Sequence, residues 1–423
     1  MKFFLQGLSV AAVAAAAILI VWRTLPIMGA PLKRRIDKPF EAAGYIPGKK
    51  ECAKVFGYSM LFRLFVLAAG FVVYCIFVDN GKMLRLDKIF DVWMKWDARH
   101  YIDASHGYAS YTEKGDFTNL VFFPLYPWLL AALNVIVRNE SASAVLVSAL
   151  ASSGAAVYMY KLLCPDYGKR AAELTVILIF VFPFSFFYGG IMTEGVFLLT
   201  CAATFYYVRN HNWIAAGIAG FLCALSRSAG VFLIFPATVE LLEQEEIFRD
   251  FGKKLLPALK KWVWLLLLPI GTCVYLFINY RITGDPLYFL KIEKKIWFQE
   301  SQPFFKTVGT LWDTASGNRD ISVRMGAFAP GLVVLFATYA VMLLGIRRNR
   351  TMYSVWLLVY ALVNTSMSWP LSLGRYFSAA LPTFIILGDV CSRNRKLRAA
   401  FLIGFPILFG IYMTGYIMQK QIM

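Results

Sequence analysis

The stretch WMKWDARHYIDASHGY (Trp93–Tyr108) holds two of the chain's three histidines, two aspartates and two tryptophans directly after an apolar run. Asp97 follows Trp96 within it, and a carboxylate held just above a membrane suits a general base. Further ionisable residues stand singly in later apolar surroundings: Glu194 in MTEG, Arg227 in SRS, and Arg375 in LGRYF with Tyr376 beside it. Arginine at bilayer depth suits a phosphate, because its planar fork bonds the oxygens and never loses its charge. A base with two phosphate-binding cations implies a substrate with a phosphate at the interface and a lipid tail in the bilayer. The aromatic residues around Asp97 (Trp93, Trp96, Tyr101, Tyr108, Phe122, Phe123, Tyr126, Trp128) line a sugar site or form an interfacial belt; the sequence allows both.

Each residue also has a plainer role open to it. Asp97 is one of several loop acids, and Glu194 has arginines to pair with. Arg227 and Arg375 can snorkel to lipid phosphates. His100 and His106 can be structural, and TGDPL (283–287) is a turn shaped by its Gly and Pro. The informative feature is convergence, since charges at such depth face a cavity or a partner.

The elements that must position these residues are membrane helices. The 423 residues are 59% hydrophobic and only 16% charged. Runs such as LFVLAAGFVVYCIFV and WVWLLLLPIGTCVYLFI approach the ~20 apolar residues that cross a bilayer. Alternating strand signals are absent, which excludes a barrel and predicts an all-α polytopic membrane protein. The net charge of +18 sits in short loops between apolar runs, so it speaks for membrane orientation and against a nucleic-acid partner. Seven cysteines show neither metal-ligand nor disulfide-framework spacing. No DxD ligand set is present, so no metal or other cofactor is predicted, although a divalent ion can assist such chemistry.

Positive charge orients the chain. The segments 23–54, 249–261, 347–350 and 393–398 are placed in the cytoplasm. Residues 79–142 (seven Lys/Arg, eight Asp/Glu) and 282–327 (six and five) then form two larger exterior loops. Residues 121–137, broken early by prolines, are expected to lie along the exterior surface, and 213–242 to form a hairpin of short helices turning at depth around SRSAG. This gives about 11–12 membrane segments. Residues 1–57 read as an uncleaved N-terminal anchor with a basic cytoplasmic segment, and 58–423 as one transmembrane catalytic domain.

The combination WDARHYIDASHGY followed by FFPLYPWLL resembles the PIG-V family, which adds the second mannose to glycosylphosphatidylinositol precursors in eukaryotes. PFSFFYGGIMTEGVFLL, GFLCALSRSAGVFLIFP, TGDPLYFL and LGRYFSAALPTF follow in the family's order, so the resemblance spans about residues 58–390. The later motifs are similar to those of the wider GT-C superfamily of lipid-donor glycosyltransferases. The resemblance implies a GT-C fold and a polyprenyl-phosphate-sugar donor, with mannose as the sugar. It also implies a glycolipid or cell-envelope glycan acceptor and an inverting displacement at the exterior face. Asp97 is implied as the base, with Trp96, His100, Glu194, Arg227, Arg375 and Tyr376 as substrate-binding residues. The implied location is a bacterial plasma membrane, or the endoplasmic reticulum in a eukaryote, in contact with membrane lipids. The competing class is a lipid or sugar transporter or flippase, against which stand the absence of an internal repeat and the clustering of polar residues at one face. The first 57 residues fall outside the resemblance.

Overall fold

In lipid a backbone must satisfy its N–H and C=O groups internally, so the apolar runs become helices. The computed structural model describes residues 1–32, 42–79, 86–109 and 117–422, so parts of the 23–54 and 79–142 segments lie outside the described residues. Helices α1 (Lys2–Ile27) and α2 (Lys49–Phe77) precede a segment with α3 (Ala98–Ser105) and α4 (Leu125–Val137). The middle consists of α5 (Glu140–Phe180), α6 (Glu194–Arg209), α7 (Trp213–Ser226) and α8 (Ile234–Glu245). Then come α9 (Phe251–Trp262) and α10 (Leu267–Thr283), followed by α11 (Tyr288–Ile296) and α12 (Phe304–Gly317). The last group is α13 (Ile321–Val323), α14 (Ala329–Gly345), α15 (Thr351–Thr365), α16 (Leu373–Ser378), α17 (Leu381–Arg393) and α18 (Arg395–Ile417). Among the described residues the only strand-like pairing is one isolated bridge, Ser301 with Met367.

Among the described residues six helical stretches are long and apolar enough to cross a membrane: α1, α2, α5, Phe251–Thr283 (α9 into α10), Ile321–Gly345 (α13 into α14) and α18. The chain is an integral, multi-pass membrane protein. Shorter apolar helices, Leu125–Val137, Trp213–Ser226 and Thr351–Thr365, stand beside these six. The two spans expected on either side of CPDYGKR are the two halves of α5, two helices joined across a kink at Gly168 (φ 81°, ψ 166°) just after Pro165. Others are short: α7, at 14 residues, rises only about 21 Å. Helix α7 and the 3₁₀ turn Ser228–Leu233 before α8 make the expected hairpin of short helices.

Helix α5 is central: 72% of its apolar window is buried, against 17% for α1 and 22% for α18 at the periphery. Its buried face carries small residues (Ser143, Ala144, Ser148, Ala151, Ala155, Ala156), which let α6, α17 and α2 approach closely. The ends of the bundle are tied differently. At one end Asp166 accepts from Arg209 (2.6 Å) and Arg350 (2.6 Å), and Arg350 continues to Glu240 (2.9 Å). This joins α5, α6, α8 and α15, and removing one partner of such a buried network costs about 3–5 kcal/mol. The other end carries Asp97. Helix α1 runs between the two: Lys2 pairs with Asp313 on α12, and Arg23 donates to the Ile346 carbonyl beyond α14. It is thus built into the bundle rather than standing apart from it.

Candidate active site

Three interruptions of helix put the charges together. The first precedes α3. Trp93 is buried, and its indole lies against α2 at Gly70, where a Cβ would come within 2.5 Å of it, so only glycine permits this approach. Trp96 adopts φ +52°, sparsely populated for a bulky side chain, and Asp97 follows at the N-cap of α3. Asp97 makes no capping hydrogen bond, so its carboxylate is free to turn toward α16.

The second interruption is the turn before α6. Residues Val181 to Thr193 run through bends and one short 3₁₀ turn, and Glu194 opens the helix, where the positive end of its dipole favours an acid. The third lies between α7 and the 3₁₀ turn. Arg227 is extended there (φ −159°, ψ 152°), and unwound backbone at this depth is tolerated because it borders a cavity. Arg375 sits on the short α16, which Tyr360 and Tyr188 hold by donating to the carbonyls of Tyr376 (2.7 Å) and Ser378 (2.5 Å).

The result is a chain of four alternating charges. Arg375 donates from Nη1 to Asp97 Oδ2 (2.8 Å) and from Nε to Glu194 Oε1 (2.5 Å). Arg227 donates from Nη1 to the same Glu194 oxygen (2.5 Å), and its guanidinium lies 4.8 Å over the Tyr376 ring. These bonds leave Nη2 of Arg375, and Nε and Nη2 of Arg227, without a protein partner among the described residues. Both arginines stand in the wall of one cavity of about 320 Å³.

Of the seven residues singled out in the sequence, Asp97, Arg227, Arg375 and Tyr376 line this cavity. Glu194 is fully buried beneath it, holding both arginines instead of facing the space. His100 lies behind the wall, stacked on Phe122 (5.1 Å) with Nδ1 3.1 Å from the Asn119 amide oxygen. Trp96 is also outside the lining. His106 is farther off, paired with Glu140 at 2.6 Å.

The sequence reading missed Glu293 on α11. Its carboxyl lines the cavity, and burial pushes it up to about 7. A signal existed: Phe289, Ile292, Glu293 and Ile296 follow helical i, i+3, i+4, i+7 spacing, so the acid lies on the apolar stripe while Lys291, Lys294 and Lys295 lie off it. Trp297, Gln299 and Trp369 complete that side of the wall.

No group of three or more His, Cys, Asp or Glu side chains arranged to hold a metal occurs among the described residues. A larger cavity of about 480 Å³ opens beside the N-terminal half of α2, between Glu51, Lys54 and Lys169 at its rim and Phe62, Ile177 and Phe180 within. It is mostly apolar, and the arginine–carboxylate cluster belongs to the smaller cavity.

Residues 123–278 match the family described as dolichyl-phosphate-mannose-protein mannosyltransferase, a span that includes Glu194 and Arg227 but not Asp97 or Arg375. No curated protein matches the chain. Among solved structures, ArnT from Cupriavidus metallidurans in the apo state aligns with a TM-score of 0.50 and 15% identity, over 82% of this chain and 62% of ArnT. ArnT bound to undecaprenyl phosphate gives 0.48 and 17%, over 83% and 63%. The oligosaccharyltransferase AglB from Archaeoglobus fulgidus, with an inhibitory peptide and a dolichol-phosphate, gives 0.38 and 15%, over 85% and 56%. This chain therefore spans less than two thirds of the length of these proteins. The likeness to apo ArnT shows the fold alone: a polytopic, helical membrane fold shared with that protein.

Proposed function

We propose that this chain is a membrane glycosyltransferase. It takes a hexose, mannose in our reading, from a polyprenyl-phosphate-sugar donor and passes it to a lipid-linked or cell-envelope acceptor at the exterior face. The observation that carries the proposal is the pair of cavity arginines, anchored on Glu194 and retaining unpartnered N–H donors. Anchored forks of this kind bind a phosphate in a fixed orientation. The match over 123–278 to a family described by a dolichyl-phosphate-mannose donor supports the same donor class.

In this reading the acceptor hydroxyl attacks the anomeric carbon from the face opposite the phosphate. Its proton passes to Asp97, whose side chain is 18% exposed and therefore reachable from the cavity. The C1–O bond breaks with its electrons going to the phosphate oxygen, and Arg375 and Arg227 stabilise that developing charge. A phosphate arriving at Arg375 competes with Asp97 for the guanidinium, which releases the Asp97 carboxylate as the donor settles. The acceptor is a PIG-V-type glycolipid or an envelope glycan, and the two separate by which host lipid takes the sugar.

The reading is tested by incubating reconstituted protein with polyprenyl-phosphate-mannose labelled in the sugar and a lipid extract of the host. Label is expected to move onto a second lipid. If no label leaves the donor, with mannose, glucose or galactose, while the donor lipid crosses the bilayer faster than in empty vesicles, the protein is a flippase.

The exterior placement has its own test. Single cysteines at Asn318, just after α12 on the Asp97 side, and at Gly48, just before α2, are introduced into a Cys-depleted chain. An impermeant thiol reagent on intact cells is expected to label the first and spare the second. The reverse pattern puts the cavity on the cytoplasmic side.

A further inference from the structure

Asp97 and Glu293 are the two carboxyls in the cavity wall among the described residues, and they differ in kind. Asp97 is bonded to Arg375. The Glu293 carboxyl has no hydrogen-bond or ion-pair partner among the described residues; only its backbone carbonyl is used, accepting from Trp297 (3.0 Å) and Gln299 (3.1 Å). Glu293 is half-buried in the cavity wall, so its carboxyl keeps its full acceptor capacity for a ligand that supplies donors.

The surroundings narrow the ligand. Neither Arg227 nor Arg375 pairs with Glu293: their carboxylate partners are Glu194 and Asp97, so the acid is not tied into the four-charge chain. Its neighbours on α11 and after it are aromatic or amide. Trp297 is set edge-on to Phe122 (5.9 Å) and His100 (5.8 Å), and Gln299 donates to the Trp369 carbonyl (3.4 Å). Helix α11 is fixed against the Thr118–Val121 turn, and Phe298 at φ +54° directs the chain back along the wall. A carboxylate accepts hydrogen bonds and offers none, while tryptophan faces offer apolar area. A molecule with several hydroxyl donors on one edge and C–H groups on its face satisfies both.

We infer that Glu293 is the residue that reads the transferred sugar, its carboxylate accepting hydrogen bonds from the sugar's hydroxyls while Trp297 and Trp369 bound the ring. This deepens the function proposed above and rests on it. The chain thereby divides its cavity into a phosphate subsite at Arg227 and Arg375 and a hydroxyl-reading subsite at Glu293. Hydroxyl donors favour the ionised carboxylate, so the sugar's share of donor affinity rises as pH increases through about 7 and is lost below it. Asp97, Tyr101, Arg227, Arg375 and Tyr376 face the same space, and Tyr275 lies beside α11, against Phe289. Their contributions are removed by comparing wild type with Glu293→Gln across the same range.

The test measures binding of two probes to the full-length protein: polyprenyl phosphate without sugar, and polyprenyl-phosphate-mannose, with glucose and galactose donors alongside. Glu293→Gln and Glu293→Ala are expected to weaken the best sugar donor by roughly 10- to 150-fold, the value of a charged hydrogen bond. They leave the sugar-free lipid unchanged, which also shows that the variants fold. The wild-type preference for the sugar donor grows between about pH 6 and about pH 8, and Glu293→Gln flattens it. Equal changes for both lipids, or none for either, overturn the inference while the phosphate reading stands. Failure of wild type to bind either lipid overturns the reading beneath it, and this inference with it.

Discussion

Asp97→Asn lowers turnover by about 10²–10⁴ while donor affinity is kept or improved. The substitution is isosteric and removes the proton acceptor and the negative charge that holds Arg375 at 2.8 Å. Losing that charge frees the Arg375 fork for a phosphate, so the account requires kcat to fall without a rise in KM. Asp103→Asn is the companion variant. Asp103 pairs with Arg99 at 3.2 Å on the exposed side of α3, away from the cavity, and its loss has little effect. Equal losses at Asp97 and Asp103 would mean that the segment needs charge in general, and the base would have to be sought elsewhere.

Arg375→Lys weakens use of the polyprenyl-phosphate donor by roughly 10- to 150-fold, the loss of one charge-assisted bond. Lysine keeps the charge and the long stem, so an arginine that only snorkelled to lipid would tolerate the exchange. An ammonium cannot bond Asp97 and Glu194 from one plane and still present a free N–H edge to a phosphate. Alanine is the wrong probe here, because it strips Glu194, fully buried, of one of its two arginines and threatens folding by about 3–5 kcal/mol. Arg227→Lys follows with a smaller loss, since a lysine there keeps its cation over the Tyr376 ring and has no Asp97 contact to hold. Arg347→Lys, exposed at the opposite end, is the silent control. Identical donor titrations for Arg375→Lys and Arg347→Lys would make Arg375 a membrane anchor.

Much of this was legible in the sequence because lipid imposes simple rules. Long apolar runs had to become helices, and lone charges at their ends had to find partners or a cavity. Asp97, Arg227 and Arg375 were found on that basis and do meet around one space. The depth order of the cluster was not legible. Whether Glu194 faces the cavity or lies under it depends on the irregular run before α6 and on two arginines 33 and 181 residues away in the chain. His100 looked like a site residue because of its neighbours in sequence, yet its surroundings come from Asn119, Phe122 and Trp297. Glu293 was hidden in a run of lysines, although its helical spacing marked it as the acid on an apolar face. The kink that parts the two halves of α5 at Gly168 was legible as the charged CPDYGKR between two apolar runs.

The central claim is that the cavity under Asp97 takes the phosphate of a lipid-linked sugar. The most direct measurement is a cryo-electron microscopy structure of the protein in nanodiscs with saturating polyprenyl phosphate. The account predicts phosphate density within hydrogen-bonding reach of Arg375 and Arg227, with the Arg375–Asp97 contact opened. Phosphate density at the other cavity, beside Lys54 and Lys169 on α2 and α5, with the four-charge chain left intact, would contradict it.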